Sequence, residues 1–198
     1  MTDAMSERGW DYLCPNMRRQ RAEKVARYAG EYFEPALERF PELFGKVYLS
    51  LRKYGWLAEF DPVLYIVIRE SSLDTYSSSR IRATTAHELA HLVQFKNGIG
   101  LSRYDTANVE RQATFLALGR GFAYDLLRSF PESCDKEHCG RDYKICYYGC
   151  GLLFEGCCCD CTDAELRFKA DKLTKLAQNY GLSDRPDYFA LVTGALKV

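Results

Sequence analysis

Two histidines and the glutamate beside the first of them are the strongest chemical signal in this sequence. His87 and His91 are two of only three histidines in the chain, and they are four residues apart. On a helix, residues with this spacing lie on one face, so both imidazoles can bind a single zinc ion. Glu88 lies one position further round the helix, where it can reach a metal-bound water and take its proton. The pattern predicts a zinc-dependent hydrolase.

A catalytic zinc site needs a third protein ligand, and Glu110 is the strongest candidate. We expect Glu110 near the start of a later helix, on a face of mostly small residues that allows close approach to a neighbouring helix. The alternative is an ordinary surface glutamate, which the helix dipole favours at that end. The expected face consists of Ala113, Thr114, Ala117, Gly121 and Tyr124. His138 is the chief rival as ligand, and Asp105, Asp125 and the cysteines are the remaining candidates.

The two motifs together resemble those of the gluzincin metallopeptidases. The segment His87-Glu88-Leu89-Ala90-His91 is followed, after 18 residues, by Glu110-Arg111-Gln112-Ala113. In gluzincins a Glu-x-x-Ala or Glu-x-x-x-Asp motif on a later helix supplies the third ligand. The short spacing and the order strand, strand, helix, helix are similar to the minimal gluzincins and the ImmA/IrrE-like peptidases. Over residues 47–124 the resemblance implies peptide-bond hydrolysis, with Glu88 as general base on a zinc-bound water held by His87, His91 and Glu110.

The resemblance also implies features around the metal. Larger gluzincins carry an Asp that orients a histidine ligand where this chain has Thr114, so that role is unassigned here, and Thr114 or a backbone carbonyl could serve instead. In such peptidases an edge strand ahead of the catalytic helix pairs with the extended substrate, and the corresponding strand here is residues 63–68. The residue that stabilises the oxyanion is not indicated, and Tyr76, Tyr104 and Tyr124 are candidates.

The order of elements predicts an α+β, zincin-like fold with a small antiparallel or mixed sheet, an active-site helix, a glutamate helix and a cysteine-rich irregular insert. Alternating residues at 46–52 and a β-branched run at 63–68 predict two strands. A polar segment at 71–79 predicts a loop that can cap the active-site helix. The predicted helices cover residues 16–40 with a break or a second helix start at Pro35, residues 80–96, a stretch that begins after 105 or 106 and runs to 130, and residues 163–180 and 187–195.

Eight of the nine cysteines lie in the expected insert, residues 133–161. Without an export signal the thiols are expected to be reduced, which favours metal ligation over disulfides. The insert is therefore a candidate for a second, structural zinc site or an iron–sulfur cluster, with disulfides and reactive thiols as alternatives. The candidate ligands are Cys134, Cys139, Cys146, Cys150, Cys157, Cys158, Cys159 and Cys161. Cys14 stands apart, and we expect a buried small residue there rather than a latency switch.

The composition fits one folded domain over residues 1–198, because 47% of the residues are apolar and 14% aromatic. Basic and acidic residues balance at 27 each, so no overall charge attracts nucleic acid or an acidic membrane. No secretory signal or long apolar run is present, which predicts a cytoplasmic protein without a membrane partner. The expected partner is a peptide or protein substrate, and the sequence does not indicate an oligomeric state.

Two other functions fit parts of the sequence. A non-catalytic, metal-binding regulatory or interaction module would keep the metal helices and use the insert for recognition. A His-Glu-x-x-His domain followed by a cysteine-rich module also resembles the SprT-like proteases, which act on DNA-bound proteins. Against this reading, no third histidine closely follows His91 and the net charge is zero. Nucleic-acid binding is therefore not expected.

Overall fold

Helices make up most of the structure, with one small sheet, in agreement with the predicted α+β class. The structure is a computed structural model that describes residues 19–45, 47–52, 57–60, 64–99, 106–133 and 161–179. The first part contains α1 (Arg19–Tyr28), a π-helical turn (Ala29–Phe33), α2 (Glu34–Leu37), a 3-10 turn (Pro41–Leu43), β1 (Val47–Arg52), β2 (Leu57–Phe60) and β3 (Leu64–Arg69). There follow α3 (Ser72–Thr75), α4 (Ser78–Lys96), α5 (Thr106–Ala117), a second π-helical turn (Leu118–Phe122), α6 (Ala123–Ser133) and α7 (Asp163–Gln178).

The sheet has three strands in the order β1-β3-β2 and is mixed. β1 runs parallel to β3, with Val47 opposite Leu64, and β2 runs antiparallel to β3, with Phe60 opposite Leu64. The mixed arrangement was one of the two predicted, and the purely antiparallel one is wrong because the β1–β3 pair is parallel. Two predicted strands are present, while β2 carries no alternating pattern and was not predicted.

The strand predicted to pair with substrate is not an edge strand. Residues 63–68 correspond to β3, which has β1 on one side and β2 on the other. Both rows of its backbone hydrogen-bonding groups are therefore used within the sheet, so β3 has no free edge for an added peptide. Among the described strands, β1 and β2 form the edges of the sheet.

Of the two alternatives predicted at Pro35, the structure has the second helix start: Pro35 lies in the first turn of α2, and the chain does not break there. Proline removes a backbone donor and clashes with the carbonyl four residues earlier. Here a π-helical turn precedes it, and the Glu34 backbone N–H donates to Ala29 O, five residues back. This wider turn lets the chain pass into α2 without a break.

The long helix predicted up to residue 130 is divided by a kink at Gly121. Its φ of 86° lies in the left-handed region, which glycine adopts without steric cost. Arg39 Nη1 donates to Gly121 O at 3.0 Å and to Arg120 O at 3.3 Å, so the carbonyls at the bend have a partner. Beyond the kink, α6 runs past the predicted stop at Pro131 and ends at Ser133.

The core is centred on α4, in which 12 of 19 residues are buried. Ser77 caps this helix by accepting a hydrogen bond from the Arg80 backbone N–H, as the polar segment before it predicted. α4 contacts β2, β3, α5 and α6. Leu89 and Leu92 on α4 and Ile66 and Ile68 on β3 are fully buried, each contributing about 1.5–3 kcal/mol of hydrophobic stabilisation. The helix that carries His87 and His91 is thus packed against neighbours on several sides.

Two further sequence-based expectations concern chain ends and membranes. The last predicted helix, residues 187–195, lies outside the described residues. Within the described residues, no helix combines the length and apolar character needed to cross a bilayer.

Candidate metal centre

The side chains of His87, His91 and Glu110 converge between α4 and α5. His87 Nε2 lies 3.0 Å from His91 Nε2 and 3.0 Å from Glu110 Oε2, and His91 Nε2 lies 3.3 Å from Glu110 Oε2. A tetrahedral zinc ion with bonds of about 2.1 Å separates its ligand atoms by about 3.4 Å. The three distances are within a few tenths of an ångström of that value. This group could therefore hold a metal ion, as the sequence predicted.

Close approach of α5 to α4 brings Glu110 to the histidines. Ala113, Thr114 and Ala117 are fully buried, so the predicted small-residue face does lie in the interior. Gly121 forms the kink instead of extending this face. Tyr124 lies beyond the kink, where its hydroxyl donates to Asp163 on α7. The buried small-residue face thus consists of three residues, which allow the first turns of α5 to pack closely against α4.

Gln94, one turn after His91 on α4, determines which nitrogen of His91 carries hydrogen. The Gln94 side chain is fully buried, and its Nε2 donates to Val109 O and to Gln112 Oε1, both at 2.8 Å. This fixes the orientation of the amide, so Oε1 is the atom 2.8 Å from His91 Nδ1. An amide oxygen only accepts, and His91 must therefore donate from Nδ1. Its Nε2 is then the nitrogen that faces His87 and Glu110.

Sequence reasoning missed Gln94, although a signal for it was present. Gln94 follows His91 by three residues and lies on the histidine-bearing stripe of the helix, as an uncharged residue with a donor and an acceptor. Histidine ligands nearly always have such a partner on the nitrogen that faces away from the metal.

Thr114 takes the corresponding place beside His87. Its Oγ1 lies 3.1 Å from His87 Nδ1, and the side chain is fully buried. Thr114 and a backbone carbonyl were the two possible partners of this histidine. The structure brings Thr114 into contact with it. Both imidazoles therefore have a neutral hydrogen-bond partner at Nδ1, and both direct Nε2 toward Glu110.

Glu110 supplies the negative charge of the group. Hydrogen bonds to His87 and then to His91 hold the pKa of its carboxyl far below the usual range, against the opposing effect of burial. Burial by itself lowers the pKa of His91, but the hydrogen bond to Glu110 and the charges of Glu110 and Glu88 raise it overall. The cluster is thus suited to a cation, because two imidazole nitrogens and a carboxylate oxygen face one point.

Glu88 lies directly after His87 and is only 7% exposed. Its charge contributes to the raised pKa of His91, and, after the dominant effect of burial, to that of Tyr28 on α1. Glu88 is therefore within electrostatic reach of the metal-binding group.

The cluster is open to solvent on one side. His87 and His91 are each 8% exposed, whereas the Glu110 side chain is 54% exposed. A fourth ligand, water or substrate, can approach the metal position from the side of Glu110.

The other candidate site residues that the structure describes have different partners. Asp125 pairs with Arg82, with 2.9 Å between Oδ1 and Nε, and is not a third ligand. Tyr76 lies against the guanidinium of Arg80, 3.8 Å from ring centre to Cζ. Asp105, Tyr104, His138, Cys14 and the cysteines at 134, 139, 146, 150, 157, 158 and 159 lie outside the described residues.

Cys161 is the one cysteine of the predicted insert that the structure describes. Its Sγ accepts a hydrogen bond from Lys169 Nζ at 3.1 Å, and its side chain packs against the hydrophobic core. Within the described residues, the cluster of His87, His91 and Glu110 is the group with metal-binding geometry. A metal site in the insert stays a prediction.

Comparisons of the chain with protein-family models, with curated proteins and with solved structures gave no match.

Proposed function

We propose that this chain is a zinc-dependent metallopeptidase of the gluzincin type, with a zincin-like fold. The convergence of His87, His91 and Glu110 at separations that suit tetrahedral zinc is the observation that carries the proposal. The buried Glu88 beside this group and the active-site helix packed on a mixed sheet are consistent with it.

The donor set fits zinc better than it fits magnesium or calcium. Two imidazole nitrogens and one carboxylate oxygen form a ligand set of catalytic zinc sites, whereas magnesium and calcium prefer oxygen ligands throughout. When bound, zinc polarises the scissile carbonyl and makes a water molecule more acidic. The chain's own part is to hold two neutral imidazoles by Gln94 and Thr114 and to leave the solvent side open.

Glu88 is the proposed general base. It accepts a proton from the attacking water and then delivers that proton to the leaving amine, so a single carboxylate serves both steps. Its burial keeps bulk water away from the proton that it transfers.

The substrate strand is reassigned from β3 to β2. β2 contacts α4 and pairs with β3 on one side, and no described strand pairs with its other side. An extended peptide can add to that side through backbone hydrogen bonds, which would hold it along the sheet beside the active-site helix.

Comparison of the wild type with Glu88→Gln tests the proposal. The substitution keeps the shape of the side chain and removes its basicity, so zinc content should stay equal while cleavage of a peptide mixture, followed by mass spectrometry, should stop. Full cleavage by Glu88→Gln would overturn the role of Glu88. Zinc binding without cleavage by the wild type would instead favour the non-catalytic metal-binding module.

A further inference from the structure

The side chain of Gln94 connects the two helices that carry the metal ligands. It accepts from His91 on α4 and donates to Val109 O and Gln112 Oε1 on α5. Val109 and Gln112 lie on either side of Glu110 in the sequence. Each of the three hydrogen bonds of this buried amide therefore reaches either the proposed ligand His91 or the turn of α5 that carries Glu110.

Packing alone does not explain an amide at this position. A buried polar group is costly unless it is hydrogen-bonded, and a leucine or methionine of similar size would fill the same space without that requirement. Gln94 is 0% exposed, and both its donor and its acceptor atoms are used. The polar atoms of Gln94 must therefore contribute by orienting the groups to which they are hydrogen-bonded.

Thr114 cannot orient His87 as strictly as Gln94 orients His91. A hydroxyl both donates and accepts, so it is compatible with hydrogen on either nitrogen of His87. The oxygen of Gln94 is an acceptor whose direction is fixed by the two donations from its Nε2. Gln94 therefore constrains the position of hydrogen on His91 more strictly than Thr114 constrains it on His87.

We propose that Gln94 is a positioning residue that presets the metal site in two ways. It holds the hydrogen of His91 on Nδ1, leaving Nε2 free to bind metal, and it holds the first turns of α5 so that Glu110 faces both histidines before metal arrives. This inference depends on the metal-binding part of the proposed function and is independent of peptide hydrolysis.

The test compares Gln94→Met, Gln94→Glu and a control, Thr85→Val. Methionine removes all three hydrogen bonds at nearly constant volume. Glutamate keeps an acceptor for His91 but cannot donate to Val109 O or Gln112 Oε1. Thr85 is also fully buried on α4, where it accepts from Tyr28 and donates to Ile81 O, so Thr85→Val removes buried hydrogen bonds away from the metal ligands.

The first readout is the affinity for zinc, taken as the binding that His87→Ala abolishes. Loss of such a partner typically weakens metal binding by about 10–100-fold, and we expect a loss in this range for Gln94→Met. Gln94→Glu should lose less, and Thr85→Val should bind as the wild type does. Equal affinity in Gln94→Met and wild type, or an equal loss in Thr85→Val, would overturn the proposal.

The second readout is the tautomer of His91, which a merely structural role would not change. The chain has only three histidines, so nitrogen-15 NMR of the imidazoles is readily assigned. In metal-free protein well above the pH at which imidazoles titrate, His91 should carry hydrogen on Nδ1 in the wild type and in Gln94→Glu, but be a mixture in Gln94→Met. An unchanged Nδ1–H signal in Gln94→Met would contradict the proposal.

If Gln94→Met does not fold, Gln112→Met still tests the bridge to α5, because it removes one acceptor and leaves His91 untouched. Undiminished zinc affinity in Gln112→Met would overturn the bridge.

Two results keep this inference separate from the proposed function. If the wild type binds no zinc that depends on His87, the metal site itself is wrong. If it does and the Gln94 variants match it, only the role of Gln94 is wrong.

Discussion

Thr114 and His87 lie in hydrogen-bond contact, with 3.1 Å between Oγ1 and Nδ1, although they are on different helices. Together with Gln94 at His91, this gives both histidines of the cluster a neutral partner. Histidine ligands are more basic when the partner is a carboxylate. The cluster therefore combines one carboxylate, that of Glu110, with two imidazoles whose Nδ1 atoms contact neutral side chains.

Substitution of Thr114 should change zinc affinity in both directions. Thr114→Val removes the hydrogen bond to His87 at equal volume and should weaken zinc binding by about 10-fold or more. Thr114→Asp offers His87 a charge-assisted hydrogen bond, so this variant should bind zinc at least as tightly as the wild type does. Competition with a chromophoric chelator measures both variants. Equal affinity of Thr114→Val and wild type would show that Thr114 does not support His87.

Stability of the metal-free protein should depend on pH through Glu110 and His91. The Glu110 pKa is lowered from 4.5, so its contribution is present above that pH and lost as the pH falls further. The His91 pKa is raised from 6.5, so its contribution is complete below that pH and lost as the pH rises through the raised value. The interaction between Glu110 and His91 should thus stabilise the fold most between pH 4.5 and pH 6.5.

Melting temperatures with a chelator present measure this effect. The difference between wild type and Glu110→Gln should be largest near pH 5.5, at most about 3 °C for a half-exposed carboxylate, and smaller at pH 3 and pH 9. A difference that does not vary with pH would show that Glu110 and His91 do not interact in the metal-free protein.

A side chain at Gly121 should strain the backbone. A Cβ added there would lie 2.7 Å from Arg39 Nη1, and the φ of 86° disfavours any L-residue. Gly121→Ala should destabilise the fold by about 1–2 kcal/mol in urea denaturation. Gly30→Ala is the matched control, because nothing lies within 4 Å of its added Cβ, and it should be neutral or stabilising by up to about 1 kcal/mol. Similar effects of both substitutions would contradict the strain at the kink.

The sequence predicted the metal cluster because its spacing is local. His87 and His91 are one helical turn apart, and the small residues after Glu110 indicated that its helix could come close. The partners at Nδ1 were only partly predictable. Thr114 and Gln94 contact their targets through the way α4 and α5 pack, and a single sequence does not record which side chains meet across two helices.

The fold was predictable at the level of elements but not of their pairing. β1 and β3 have strand patterns, whereas the four residues of β2 become a strand through pairing with β3. The parallel alignment of β1 with β3 depends on chain path and not on either strand's residues. The passage through Pro35 depends on a π-helical turn, and the bend at Gly121 on a contact with Arg39 far away in the sequence.

Counting zinc in anaerobically purified protein tests the metal centre most directly, with His87→Ala beside the wild type. If His87, His91 and Glu110 hold one zinc ion, His87→Ala should contain one zinc fewer per chain, and any metal bound by the cysteines should be retained. The same zinc content in both proteins would contradict a metal centre at these residues.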